Sequence, residues 1–170
     1  MIERRARDEV KRLAQVVTNL TIAELVAAYL AWAKTRYTKF GQPTTEFGNF
    51  VYSIQLLLDR HSHELVSSFG RVKLMALRDE WAKRGVVRKQ INHRVNRIRR
   101  MFKWGVAREL ISVEAVQRLN TVEGLTIGQT SAPEGRTVTA VSDHLIDAVK
   151  PFVTRQVWAL ISIQRVNAVV

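Results

Sequence analysis

One segment of this chain concentrates the side chains that could bind a polyanion. Residues 88–108 read RKQINHRVNRIRRMFKWGVAR and contain eight basic residues and no acidic residue. On an ideal α-helix, Ile91, Val95, Ile98 and Phe102 share one apolar stripe. Six polar side chains fall on the opposite side: Lys89, Asn92, His93, Asn96, Arg100 and Lys103. The pattern predicts a helix with one face in a core and the other facing phosphate groups or base edges.

The residue types of this polar face favour nucleic acid over simple solvation. Lys and Arg pair with phosphates, Arg can bind a guanine edge with two hydrogen bonds, and Asn can do the same with adenine. A helix whose charges serve solubility usually interleaves Asp or Glu at i,i+4 spacing, whereas this segment sets like charges side by side. We therefore predict that these six residues contact DNA, together with Arg88 and Arg97.

A second polar surface lies on the helix predicted from about residue 45 to residue 60. Opposite its apolar stripe stand small or hydroxyl-bearing side chains suited to phosphate or base contacts: Thr45, Asn49, Tyr52 and Ser53. Most helices with such a face are only solvated, so this feature is less specific than the basic segment. We include these four residues as candidate DNA contacts.

The distribution of charge also indicates a polyanionic partner. The 170-residue chain carries a net charge of +12, and residues 61–110 alone hold 13 basic and 4 acidic residues. A concentrated positive field attracts polyanions, of which double-stranded DNA is the partner we predict. The alternative function is a basic helical RNA-binding or ribosome-associated protein. A basic protein without such a partner and binding to an anionic membrane surface remain weaker alternatives.

Side-chain sets for catalysis or for metal binding are mostly absent from the sequence. There is no cysteine, and His61 and His63 form a two-ligand fragment without a third donor at metal spacing. No glycine-rich loop of the phosphate-binding kind is present. The sequence therefore predicts no catalytic residue, metal, cofactor or small-molecule substrate.

Helical periodicity dominates the chain and predicts an all-α fold, with no strand pair joined by a hairpin turn. Thr21 and Glu24 form a capping-box pattern at the start of the first helix, and the GQP sequence at 41–43 breaks the chain. The predicted helices cover about residues 22–36, 45–60, 72–84, 88–109, 113–119 and 142–149, with a last helical stretch from Pro151 onward.

The sequence predicts four regions. Residues 1–20 form a basic arm or helix, residues 21–120 a bundle of four to five helices, and residues 121–140 a linker rich in Thr, Gly, Ser and Pro. Residues 141–170 begin a second helical domain. No apolar run approaches the ~18 residues that span a bilayer, and the charged first residues do not fit a secretory signal, so we expect a cytoplasmic protein without membrane contact.

At this level of detail the chain resembles the N-terminal half of a tyrosine recombinase of the phage-integrase type. The strongest match is INHRVNRIRRMFKWGVARELI at residues 91–111. Weaker matches are LTIAELVAAYLAW at 20–32, VKLMALRDEW at 72–81 and VSDHLIDAVKPFV at 141–153. The resemblance covers about residues 20–165.

This resemblance implies a helical, SAM-like core-binding domain whose second and fourth helices face DNA, followed by a catalytic domain. Members of the family cleave a phosphodiester with a tyrosine and rejoin it to another strand without a metal, and protomers can associate on DNA. A threonine-glycine-x-arginine turn supplies their first catalytic arginine, but here RVNAVV at 165–170 stands in its place. We therefore assign no catalytic role to Arg165, and expect a truncated or frame-shifted product that binds DNA without cleaving it, as a homo-oligomer or together with other recombinase protomers.

Overall fold

A computed structural model describes residues 19–136 and 141–167 of the chain. The chain forms two compact units, one up to Gly135 and one from Arg136 onward. The helices and strands of the first unit are α1 (Ile22–Arg36), β1 (Thr38–Lys39), β2 (Gln42–Pro43), α2 (Thr45–His61), α3 (Arg71–Lys83), α4 (Arg88–Ala107) and α5 (Val113–Asn120). Those of the second are α6 (Asp143–Val149) and α7 (Arg155–Asn167). Short 3-10 turns cover Val66–Ser68 and Lys150–Phe152. The predicted all-α fold is confirmed.

Local sequence signals explain where the helices begin and end. The amide of Glu24 donates to the Thr21 hydroxyl at 3.3 Å and the amide of Thr21 donates to the Glu24 carboxylate at 2.8 Å, so the predicted capping box is present. Gly85 follows α3 with a φ of +73°, a conformation that glycine adopts without a steric penalty. The fourth helix ends two residues earlier than predicted because Glu109 also takes a positive φ.

The core of the first unit is organised around α4. Its stripe of Ile91, Val95, Ile98 and Phe102 is no more than 2% exposed, and α4 packs against α1, α2, α3 and α5. A 20-residue helix is about 30 Å long and can therefore contact every other helix of a small bundle. Four of the largest buried side chains lie against it, from different parts of the unit: Tyr29, Phe50, Phe69 and Trp81. The apolar half of α4 is thus a core element, as the periodicity predicts.

A two-stranded hairpin that the sequence analysis did not predict connects α1 to α2. Thr38 pairs with Pro43 and Lys39 with Gln42, which leaves Phe40 and Gly41 as a two-residue turn. Both turn residues have positive φ, +51° and +76°, the pattern of a type I′ turn. The left-handed region costs a non-glycine residue about 1–2 kcal/mol. The usual Asn-Gly signal of this turn is missing here because Phe occupies the first position, and our expectation of no hairpin was therefore wrong.

The segment predicted as a linker at 121–140 is placed differently by the structure. Val122 and Ala132 are 2% and 6% exposed, so this segment packs on the first unit as far as Gly135. Its Thr- and Gly-rich composition resembles that of a linker, because only a few of its side chains are buried and they do not follow a helical spacing. Residues 137–140, and residues 1–18 of the predicted basic arm, lie outside the described part of the chain.

The second unit carries its apolar side chains on the surface. Arg165 on α7 donates to Asp147 and pairs with Asp143 on α6, both at 2.9 Å. None of its described residues is buried, and Phe152 and Leu160 are 86% and 61% exposed. Across the described residues of both units, no helix combines the length and apolar character needed to cross a membrane.

Among the described glycines, Gly105 of α4 has the most closely packed surroundings. A Cβ atom built there would stand 3.0 Å from the Leu25 side chain and 3.1 Å from that of Ile111, both of which are buried. Gly48 of α2 offers the opposite situation, because a Cβ at that position would meet no atom within 4 Å. The two helical glycines therefore form a matched pair.

We expect Gly105→Ala to lower the free energy of unfolding by about 1 kcal/mol, because overpacking of a close-packed core outweighs the gain in helix propensity. Gly48→Ala should raise it by about 0.5–1 kcal/mol through helix propensity alone. Urea unfolding followed by circular dichroism measures both changes. Equal effects of the two substitutions would contradict the close approach at Gly105.

Candidate nucleic-acid interface

The structure exposes part of the predicted DNA-binding face of α4 to solvent. Lys89, His93, Asn96 and Lys103 are all exposed, as their position opposite the apolar stripe requires. On α2, Thr45 is exposed and Tyr52 is 72% exposed. These six side chains are free to meet a ligand from solution.

A carboxylate from α2 joins the two helices. Glu46 accepts two hydrogen bonds from Arg97, at 2.8 and 3.3 Å, and a third from Arg100 at 3.0 Å. The Arg97 side chain is 16% exposed and that of Arg100 is 52% exposed. Arg97, predicted as a DNA contact, is therefore mainly an internal partner of Glu46, whereas Arg100 keeps half of its surface for a ligand.

The charge of Glu46 is held in place by these arginines. The hydrogen bond from Arg97 is the largest of the effects that lower the pKa of Glu46, opposed by burial and reinforced by the charges of Arg97 and Arg100. A group with a lowered pKa stabilises the fold above its ordinary value of 4.5 and loses that contribution as the pH falls through the lowered pKa. At neutral pH the negative charge of Glu46 is therefore shared by the two positive charges of Arg97 and Arg100.

Arg94 has no such partner. Its guanidinium carbon lies 5.6 Å from the centre of the Trp81 ring, and within the described chain it makes no ion pair. Burial lowers the pKa of Arg94, and the positive charge of Arg97 lowers it further. A partly buried cation with a second cation beside it creates a positive potential, which favours the binding of an anion.

Arg94 lines an open cleft of about 200 Å³ between α2 and α4. The side chains around it come from both helices: Asn49, Tyr52 and Ser53 on α2, and Gln90, His93, Arg94 and Arg97 on α4. Two helices that the sequence analysis treated separately thus meet at one polar site. We call Asn49, Tyr52, Gln90, His93 and Arg94 the α2–α4 cleft.

Ser53 contributes to the cleft by packing rather than through its hydroxyl group. It is fully buried, and its Oγ donates to the carbonyl oxygen of Asn49 at 2.6 Å. A small residue at this position lets α2 approach α4 closely. The structure thus gives Ser53 an internal hydrogen bond in place of the predicted DNA contact.

Two other predicted DNA contacts hold the segment that follows α5. Asn92 accepts from the amide of Leu125 at 2.8 Å and donates to the carbonyl of the same residue at 3.0 Å. Arg88 is 8% exposed, donates to the Leu125 carbonyl at 3.0 Å and forms an ion pair with Glu134. Both side chains are engaged inside the protein because they lie on the flank of α4 that faces residues 122–135.

The basic character of α4 survives these internal contacts. Within the described part of the chain, only Glu46 and Glu134 pair with the eight basic residues at 88–108. Arg99 instead donates to the Leu119 carbonyl at 3.0 Å, and Arg108 lies 5.2 Å from the centre of the Trp104 ring. Five of the eight basic residues thus have no carboxylate partner in the described chain, and the eight positive charges face only two negative ones.

The sequence analysis missed Gln90, Arg94 and Glu46 as site residues. Gln90, His93, Arg94 and Arg97 follow one another at i, i+3, i+4 and i+7, which is the spacing of a helical stripe beside the apolar one. That stripe could have been found from the spacing. The pairing with Glu46 could not, because it joins residues about 50 positions apart.

The structure brings no metal-ligating cluster together in the residues that it describes. His61 Nδ1 lies 3.0 Å from a carboxylate oxygen of Glu64, which accepts the hydrogen bond, and His63 is exposed. Comparisons of the chain with family models, with curated proteins and with solved structures find no match.

We expect Asn92→Ala to lower the free energy of unfolding by about 1–3 kcal/mol, because it leaves the half-buried Leu125 amide without its acceptor, while the Leu125 carbonyl keeps only its hydrogen bond from Arg88. Amide hydrogen exchange at Leu125 should accelerate. Asn96→Ala is the control, since Asn96 is an exposed asparagine one turn later whose described hydrogen bond is to Arg99. Unchanged exchange at Leu125 in Asn92→Ala would contradict this anchoring role.

Proposed function

We propose that this chain binds double-stranded DNA through α4 and the neighbouring end of α2, as the core-binding part of a tyrosine recombinase, and does not itself cleave DNA. The observation that carries the proposal is the α2–α4 cleft, in which an arginine without an ion-pair partner stands among amide, imidazole and phenol groups. The resemblance of residues 91–111 to the recombinase segment supports the same surface.

A backbone phosphate is the ligand that the electrostatics of the cleft favour. Arg94 has lost part of its hydration to burial, and a phosphate oxygen replaces that hydration with a charge-assisted hydrogen bond. Lys89 and Lys103 stand along the exposed side of the same helix and extend the positive surface, and His93 adds an exposed imidazole. Phosphate contacts of this kind fix the orientation of a protein on nucleic acid.

The shape of the surface favours duplex DNA over duplex RNA. An α-helix fits the major groove of B-form DNA, which is about 12 Å wide, whereas the major groove of A-form RNA is too deep and narrow for side chains to read. Gln90 and Asn49 supply amides that can bind an adenine edge once the phosphates are held. Binding to structured RNA is the competing outcome, and it enters the test below.

The tyrosines and Arg165 support the proposal of binding without cleavage. Tyr29 is fully buried, and burial raises its pKa far above the ordinary value of 10. Arg165, at the position where the resemblance places the catalytic turn, pairs with Asp143 and Asp147. Tyr52 is the exposed tyrosine of the cleft, and we assign it a binding role.

Removal of two positive charges from the surface tests the proposal. We expect Arg94→Gln combined with Lys103→Gln to weaken binding to a DNA duplex and to reduce the slope of log K against log salt by about two, because each lost phosphate contact lowers it by about 0.9. Fluorescence anisotropy over a range of salt concentrations measures both quantities.

The control removes two exposed positive charges from α3, by Arg71→Gln combined with Lys83→Gln, and should leave the slope unchanged. Structured RNA that competes better than duplex DNA at matched salt would overturn the DNA assignment. A covalent adduct on a nicked duplex, lost in Tyr52→Phe, would overturn the proposal that the chain does not cleave DNA.

The ion pairs of Glu46 generate a second test, with effects of opposite sign on stability and on binding. Glu46→Gln should lower the free energy of unfolding at pH 7 by about 1–2 kcal/mol, because Arg97 loses its charged acceptor. It should also raise duplex affinity about 3-fold, since it frees Arg97 and Arg100 for phosphate. The stability difference should vanish as the pH falls through the lowered pKa of Glu46.

Glu80→Gln is the matched control for this variant. Glu80 also forms ion pairs with two arginines, Arg60 at 2.7 Å and Arg84. It lies on α3, outside the proposed surface. The hydrogen bond from Arg60 is the main cause of its low pKa of about 2. Its loss should change stability and leave duplex affinity unaltered, so an equal gain in affinity from both variants would indicate a general charge effect.

A further inference from the structure

The tip of the hairpin between α1 and α2 carries an aromatic ring that the fold does not use. Phe40 is 94% exposed, the highest exposure among the large apolar residues described. Its φ of +51° lies in the left-handed region, where a bulky side chain is rarely found. Asn or Asp would suit both this backbone conformation and contact with water better. The residue is therefore unfavourable to the folded domain on two separate counts.

The surroundings of the ring are positively charged. Lys39 Nζ lies 5.5 Å from the centre of the Phe40 ring, and residues 25–45 contain Lys34, Arg36 and Lys39 but no acidic residue. The hairpin thus presents an apolar ring among cations. A ligand that matches it offers a flat apolar surface close to negative charge, which is the combination that a nucleobase and its phosphate provide.

The hairpin is also attached to the end of α2 that lies on the proposed surface. The amide of Thr44, which directly follows β2, donates to the Tyr37 carbonyl at 2.8 Å and closes the base of the hairpin. Glu46, two residues later, binds Arg97 and Arg100. Four residues span at most about 14 Å, so Phe40 is tethered within that distance of Thr44.

We propose that Phe40 inserts into the base stack of the bound duplex and unstacks one base step beside the phosphates held by α4. This proposal rests on the DNA binding proposed above. Insertion of an apolar side chain between base pairs is a known way to kink a duplex, and flexible TA steps unstack most easily. The ring that is unfavourable in the free domain becomes buried in the complex.

The test uses the full chain and a duplex of about 30 base pairs with 2-aminopurine in alternate TA steps, a base whose fluorescence rises when it unstacks. We expect the protein to raise this fluorescence. Phe40→Asn should remove the rise and weaken binding about 10-fold, at an unchanged salt slope, because no charge is altered. Phe40→Trp should retain both properties.

The choice of variants protects the test from misfolding. Asn is well tolerated at positive φ, so Phe40→Asn keeps the turn. Val72→Asn removes another exposed apolar side chain, 79% exposed on α3, and should leave fluorescence and affinity unchanged.

Three results would overturn the insertion. Duplex binding and fluorescence in Phe40→Asn that equal those of the wild type would leave the ring without a role in DNA binding. Loss of binding to phosphatidylserine vesicles in Phe40→Asn, with DNA binding intact, would assign the hairpin to a lipid surface. Failure of the wild type to bind any duplex would remove the proposed function and this inference together, whereas the first two results leave DNA binding in place.

Discussion

The arrangement of this domain depends on one carboxylate shared by two helices. Glu46 stands at the start of α2 and binds Arg97 and Arg100 of α4. Those hydrogen bonds join α2 to α4, and the open cleft with Arg94 lies between the same two helices. Because the carboxylate balances one of the two arginines that it binds, the contact stabilises the fold without removing the positive field. The same charges thus contribute to the stability of the fold and to its attraction for an anion.

The side chains of α4 fall into a buried stripe, two flanks that face other segments, and one side that faces solvent. Its apolar stripe lies in the core, one flank faces α2 through Arg94 and Arg97, and the other flank faces residues 122–135 through Arg88 and Asn92. Only the remaining side reaches solvent. A side chain of α4 that is half-buried therefore belongs to a flank, and its chemistry is set by the segment that packs there.

This division explains how much the sequence could predict. The 3.6-residue period predicted the helices and the buried stripe, since both depend on local spacing. The capping box at Thr21 was predicted for the same reason. The period does not separate flank from solvent, because the flank residues Asn92 and Arg97 stand about 90° and 130° from the centre of the stripe and the exposed Lys103 about 110°.

What occupies each flank depends on contacts between distant residues, and no local pattern reveals them. Glu134 lies 46 positions from Arg88. The hairpin at Phe40 was missed because its first turn residue contradicts the turn chemistry on which prediction relies. The α2–α4 cleft was predicted in part, through Asn49, Tyr52 and His93, and without Arg94.

The anchoring of residues 122–135 also decides where the chain leaves the first unit. The amide of Arg88 donates to the Pro133 carbonyl at 2.9 Å, and Gly135 stands against the Val87 side chain. The polypeptide therefore runs back along α4, by a distance of about 30 Å, and departs beside the first turn of that helix. The last residues of the first unit therefore lie beside the N-terminal turn of the basic helix α4 and not beside its C-terminal end.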